Sequence, residues 1–228
     1  MSTVVVEPAP FAIDEPPRTN REKLRPRDAS TIILLDRRDG IPRFLMGRRG
    51  GGHAFMPDVY VFPGGRRDRQ DYALPFQRDL HPLVSHRLLS QTTARTRSTT
   101  ARALALAAMR ELQEETGLAP GTPPDLYHLR YVARAVTPPG NVRRFDTRFF
   151  LLPTDEANIA TDTLRETEEL QDPRWVSFSD LDDLNVPRIT LAVLREVRAM
   201  LDAQPSLPYG LPVPYYFMRR GRFVRTEI

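Results

Sequence analysis

The chain has 228 residues, 40% hydrophobic and 27% charged, which suffices to bury a core and excludes a wholly disordered protein. The absence of cysteine excludes disulfides, thiolate metal sites and cysteine nucleophiles, and fits a reducing, cytoplasmic setting. No apolar run approaches the ~20 residues that span a bilayer, and MSTVVVEPAPFAIDEPP lacks the basic start and long apolar centre of a secretory signal, so no membrane partner is expected. The net charge of +4 and pI near 9.7 invite a nucleic-acid partner. However, the basic residues are scattered, and all but Lys23 are arginine. Two readings remain: solvated surface charge, or a subset of arginines lining a pocket for a phosphate-bearing small molecule.

Residues 1–27, rich in proline and charge, predict a flexible N-terminal arm, and 28–228 a single domain. Thr31 to Leu35 and Ile41 to Met46 read as strands joined through Asp39-Gly40, a hairpin signal. Arg48 to His53 is a glycine-rich loop, and Asp58 to Phe62 a short strand running into Pro63-Gly64-Gly65. Residues 66–97 are polar and irregular, with a short helix expected near Pro82 to Leu89. The clearest helix spans 98–116. Ser98, Thr99 and Thr100 suit its start, Leu104, Ala108 and Leu112 form an apolar stripe, and Gly117 suits a left-handed C-cap. Strands follow at Tyr127–Val136, Phe145–Leu152 and Arg174–Phe178, then a helix at Ile189–Ala203 and an extended tail from Pro205 to Pro214, after which Tyr215, Tyr216 and Phe217 are expected to pack onto the domain. This order predicts an α+β fold, a helix–sheet–helix sandwich.

Glu111, Glu114 and Glu115 fall at i, i+3 and i+4 and project from one face of the 98–116 helix. Such a cluster is either a solvated, salt-bridged face, with Arg110 pairing to Glu114, or an oxygen-rich site for a hard divalent cation. Upstream, Val61-Phe62-Pro63-Gly64-Gly65 ends a strand in a turn whose glycines allow close backbone approach to a metal or phosphate.

With these two elements together, the sequence resembles the Nudix hydrolase family. Arg110 to Leu118 matches the second half of the family signature, Arg-Glu-apolar-any-Glu-Glu-any-Gly-apolar, at every fixed position. Gly65 matches its first glycine, and Asp71 stands where the family has glutamate. Thirty-eight residues separate Asp71 from Arg110, so an insertion occupies about 72–97. Its polarity suggests an excursion outside the core, placed to shape the substrate pocket or a homodimer contact. A subgroup with such insertions includes the peroxisomal coenzyme-A-cleaving enzymes, which the chain resembles in Phe44 to Arg49, His53 to Pro57, Val61 to Gly65 and Arg143 to Phe150.

The resemblance implies a Nudix-type α/β/α sandwich with a mixed sheet and the catalytic helix at 98–116. It also implies Mg²⁺- or Mn²⁺-dependent hydrolysis of a nucleoside diphosphate linked to another group, with coenzyme A or an acyl-coenzyme A as first choice. On that analogy Glu111, Glu114, Glu115 and the Gly64 carbonyl are metal ligands, and Glu111, Glu114 and Arg110 are catalytic. The general base is Glu111 or a carboxylate of the Glu166-Glu168-Glu169 run, which otherwise reads as a solvated acidic turn. Arg48, Arg49, Arg143 and Arg144 are either phosphate grips or surface charge, with Asp146 placed to orient one of them. His53, His81, His86 and His128 show no metal-ligand spacing. Rival readings are hydrolysis of ADP-ribose, NADH or capped RNA, and a non-catalytic fold that binds a nucleotide or RNA.

Overall fold

A computed structural model describes residues 4–5, 24–50, 58–90 and 97–228. Most of the 1–27 arm, together with His53 and its His53 to Pro57 motif, lies outside the described residues. Among the described residues, ten strands form one mixed sheet: β1 (Val4–Val5), β2 (Arg27–Asp36), β3 (Arg43–Arg49), β4 (Tyr60–Val61), β5 (Gly64–Arg66), β6 (Arg130–Val136), β7 (Phe145–Pro153), β8 (Leu170–Ser177), β9 (Pro214–Arg219) and β10 (Arg222–Glu227). Their order is β1-β10-β9-β6-β7-β2-β3-β4, with β5 added beside β2 and β8 beside β3. Helices α1 (Pro82–Leu89), α2 (Ser98–Thr116), α3 (Thr154–Ala157) and α4 (Arg188–Ala203) complete the fold. No helix among the described residues is long and apolar enough to cross a membrane.

Strand β2 organises the molecule. It runs parallel to β7 from Arg27↔Phe145 to Leu35↔Pro153. Its side chains alternate between two cores: Ile32 and Leu34 join the layer under α2, and Ile33 and Leu35 the layer under α4. At its polar end Asp28 pairs with Arg148 at 2.8 Å and Arg67 at 3.0 Å. Helix α2 presents Leu104, Ala108 and Leu112 to the first layer, as the four-residue spacing predicts, and α4 presents Val193, Leu194 and Val197 to the second. The result is the predicted helix–sheet–helix arrangement.

Two parts of the fold differ from the sequence reading. The segment at 72–97 is not wholly an excursion, because Leu80, Val84 and Leu88 are buried in the α2 layer. Val84 and Leu88 lie four residues apart on one side of α1, Leu80 precedes the helix, and burying each such side chain contributes about 1.5–3 kcal/mol. Residues 91–96 lie outside the described residues. The aromatic tail does more than pack. Tyr215 to Phe217 belong to an antiparallel hairpin, β9–β10, and β9 extends the sheet by pairing in parallel with β6.

Candidate active site

The Pro63-Gly64-Gly65 turn brings β5 antiparallel against the first half of β2, pairing Thr31 with Gly64 and Ser30 with Gly65. A Cβ on Gly64 would lie 2.7 Å from the Thr31 Cα, and one on Gly65 would overlap the Glu111 carboxylate. Both glycines are thus required by close approach: β5 is held between β2 and the C-terminal half of α2. There the Gly64 N–H donates to Glu115 Oε2 at 2.9 Å. Gly64 also lines the cavity beside the carboxylates.

Helix α2 stops at Gly117, whose φ of 75° is the left-handed conformation that glycine adopts freely, and whose N–H caps Gln113 O at 2.9 Å. The chain later returns beside this helix end, and Glu169 joins Glu111 and Glu115, with one carboxylate oxygen from each lying within 4.8 Å of the others. Burial drives Glu115 up to about 8, against the pull of the Gly64 N–H, and drives Glu111 upward, against the pull of Arg110. Buried carboxylates that resist ionising, offering oxygen alone, suit a hard cation such as Mg²⁺ or Mn²⁺, which would stabilise their charged forms.

Glu114 stands outside this group. Its side chain is 55% exposed and accepts from Arg110 at 2.8 Å, the i,i+4 pair that the spacing allowed. Arg110 likewise sits behind the carboxylates instead of facing the cavity. Its guanidinium donates to Asp71 at 2.8 Å, Glu111 at 2.9 Å, Glu114 and the Arg66 carbonyl. Burial works against its charge, yet these acidic partners hold its pKa above the ordinary arginine value.

The carboxylates open into a cavity of about 340 Å³. Arg49, Arg66 and Arg143 line it; Arg49 is half-buried, and this desolvation lowers its pKa, while the nearby Glu115 opposes that shift. Phe145, Phe149, Pro187 and Ile189 also line it, together with Thr31, Thr137, Thr147 and Thr190. The structure therefore brings Arg49 and Arg143 to the site and places Arg48 and Arg144 elsewhere. Arg48 contacts Asp58 at 3.4 Å and Gln171 at 3.2 Å. Arg144 donates to the carbonyls of Thr137 and Leu24. Asp146 orients neither Arg143 nor Arg144; it binds Arg134 at 2.7 Å and Arg148 at 3.1 Å on the opposite face of the sheet. Sequence reasoning missed Arg66, although its place right after Gly65 marks it. His81 has a structural role: its Nδ1 accepts the Leu83 N–H at the start of α1.

Comparisons with known proteins bear on the fold. No curated protein matches the chain. Among solved structures, a NUDIX hydrolase from Alicyclobacillus acidocaldarius superposes with a TM-score of 0.56 at 24% identity, over 80% of this chain and 94% of that one. The NUDIX domain of Shewanella oneidensis NrtR, solved with ADP ribose, superposes with a TM-score of 0.51 at 13% identity, over 78% of this chain and 90% of that one. Residues 101–197, from the first turns of α2 through most of α4, match the family model of the NUDIX domain. The chain thus has the fold of these NUDIX structures, and within it residues 101–197 are similar to the NUDIX domain.

Proposed function

We propose that this protein is a metal-dependent hydrolase that cleaves the diphosphate of a nucleoside diphosphate linked to another group. The observation that carries the reading is the convergence of Glu111, Glu115 and Glu169 in the lining of a cavity that also holds three arginines and apolar side chains. In this reading Glu111, Glu115 and Glu169 hold Mg²⁺ or Mn²⁺. The bound cation supplies charge neutralisation at the phosphates and lowers the pKa of water. Arg49, Arg66 and Arg143 grip phosphate oxygens through charge-assisted hydrogen bonds. Phe145, Phe149 and Ile189 receive the less polar part of the substrate and keep bulk water from it. Glu169, the most exposed of the three acids, accepts the proton of the attacking water.

Coenzyme A or an acyl-coenzyme A is the first-choice substrate, on the resemblance of Phe44 to Arg49 and Val61 to Gly65 to the coenzyme-A-cleaving enzymes. ADP-ribose is the second, since a protein of the same fold binds it. The test is to incubate the protein with coenzyme A, an acyl-coenzyme A, ADP-ribose, NADH and capped RNA, in Mg²⁺, Mn²⁺ or EDTA, and to identify products by mass. Cleavage at the diphosphate that stops in EDTA is expected. Binding of these compounds without turnover in either metal would make the protein a nucleotide binder instead.

A further inference from the structure

The last carbonyls of a helix find no partners within it. At the end of α2 two of them are satisfied by one returning segment: Thr116 O accepts the Arg165 N–H at 3.0 Å, and Glu115 O accepts the Thr167 hydroxyl at 3.1 Å. Thr167 also closes that segment on itself. Its amide donates to Leu170 O at 3.1 Å, and its hydroxyl accepts the Leu170 N–H at 3.1 Å. Glu168 and Glu169 form the tip of the turn so closed. Its far side is fixed to β3 and the residue that follows it: the Gly50 N–H donates to Glu169 O at 3.2 Å, and buried Leu170 fills the space that a side chain at Gly47 would take. One hydroxyl therefore bonds the backbone of one carboxylate residue, Glu115, and shapes the turn that carries another, Glu169.

We propose that Thr167 is a positioning residue that sets Glu169 against Glu111 and Glu115, so that the affinity for a divalent cation depends on its hydroxyl. The inference rests on the metal reading above. Thr167→Val keeps the side-chain shape and removes both bonds. Titration of Mn²⁺ into the full chain, followed by electron paramagnetic resonance of the free ion, is expected to show about tenfold weaker binding, the scale on which groups that orient metal ligands act. Thr167→Ser, which retains the hydroxyl, is expected to bind as the wild type does. Glu169→Gln is expected to weaken binding too, and adding Thr167→Val to it is expected to cost nothing further, because the two act through one group.

Wild-type affinity in Thr167→Val, or an undiminished effect of that change in the Glu169→Gln background, overturns the proposal. If the valine variant does not fold, Thr167→Ala replaces it in the same comparison. Glu111→Gln and Glu115→Gln separate the two failures. If both lose Mn²⁺ while Thr167→Val does not, the positioning role alone is wrong. If neither loses it, the metal reading has failed.

Discussion

The guanidinium of Arg110 meets the carboxylate of Asp71 at 2.8 Å, and the Asp71 side chain is completely buried. Asp71 also accepts the Asp68 N–H at 2.6 Å, so it fastens the turn after β5 to α2. Arg110 passes this constraint to Glu111, which it meets at 2.9 Å. Removing Asp71 would leave a largely buried guanidinium without its main partner. Breaking a buried pair from one side typically costs about 3–5 kcal/mol. Asp71→Ala is therefore expected to lower the free energy of urea unfolding by that order, and a loss under about 1 kcal/mol would show the pair to be incidental.

The carboxylates divide by location. Glu111→Gln and Glu115→Gln remove charge from the converging group, and each is expected to slow diphosphate cleavage by at least ~10²-fold. Glu114→Gln removes charge from an exposed partner of Arg110, and its rate is expected to stay within about threefold of wild type, as suits a surface pair. Steady-state rates at saturating Mg²⁺ check the contrast, and equal losses at all three positions would contradict the geometry.

Stability should depend on pH through Glu115. Its folded-state pKa of about 8 lies above the ordinary value of 4.5, so between these values the folded chain binds more protons than the unfolded one. The contribution of Glu115 to the stability of the metal-free protein is then fullest below 4.5 and falls as pH rises towards about 8. Melting curves in EDTA should show this decline, and Glu115→Gln should flatten it. Mg²⁺, which favours the ionised form, should raise the melting temperature more at pH near 8 than near 6.

Helix α1 offers a test of what the segment between Asp71 and Arg110 does. Leu88 is 3% exposed within the α2 layer. Leu88→Ala is expected to destabilise the protein by about 2–5 kcal/mol, measured by chemical denaturation. A negligible change would return this segment to the periphery, where its polar composition first placed it.

What the sequence made legible follows from which interactions are local. The bounds of α2 at 98–116 could be read because an apolar stripe and a terminal glycine are encoded within the helix itself. The approach of Gly64 and Gly65 to the acidic face was readable as a motif. Glu169 could be narrowed only to a run of three acids, because its choice over Glu166 and Glu168 depends on hydrogen bonds made by Thr167 and Gly50, distant in sequence from α2 and from each other. Glu114 and Glu115 are adjacent and chemically identical. Only the position of β5 turns one into a buried acceptor for Gly64 and leaves the other in solvent. The β9–β10 hairpin turns at Arg220 and Gly221, which both adopt positive φ, a signal that the sequence reading did not use.

The alternation of β2 between two cores carries a cost in specificity. Ile32, Ile33, Leu34 and Leu35 are all fully buried, so sliding the strand by one residue would exchange one apolar side chain for another on each face. Hydrophobic patterning, which ordinarily forbids such a slip, is nearly blind to it here. The discriminating information lies at the other end of the strand, where Asp28 must reach Arg148 and Arg67 while Ala29 and Thr31 face the cavity. Asp28 therefore acts as the index mark of the sheet: it selects one alignment of β2 on β7 among several of similar apolar burial, and thereby fixes the edge against which β5 and its two glycines are laid.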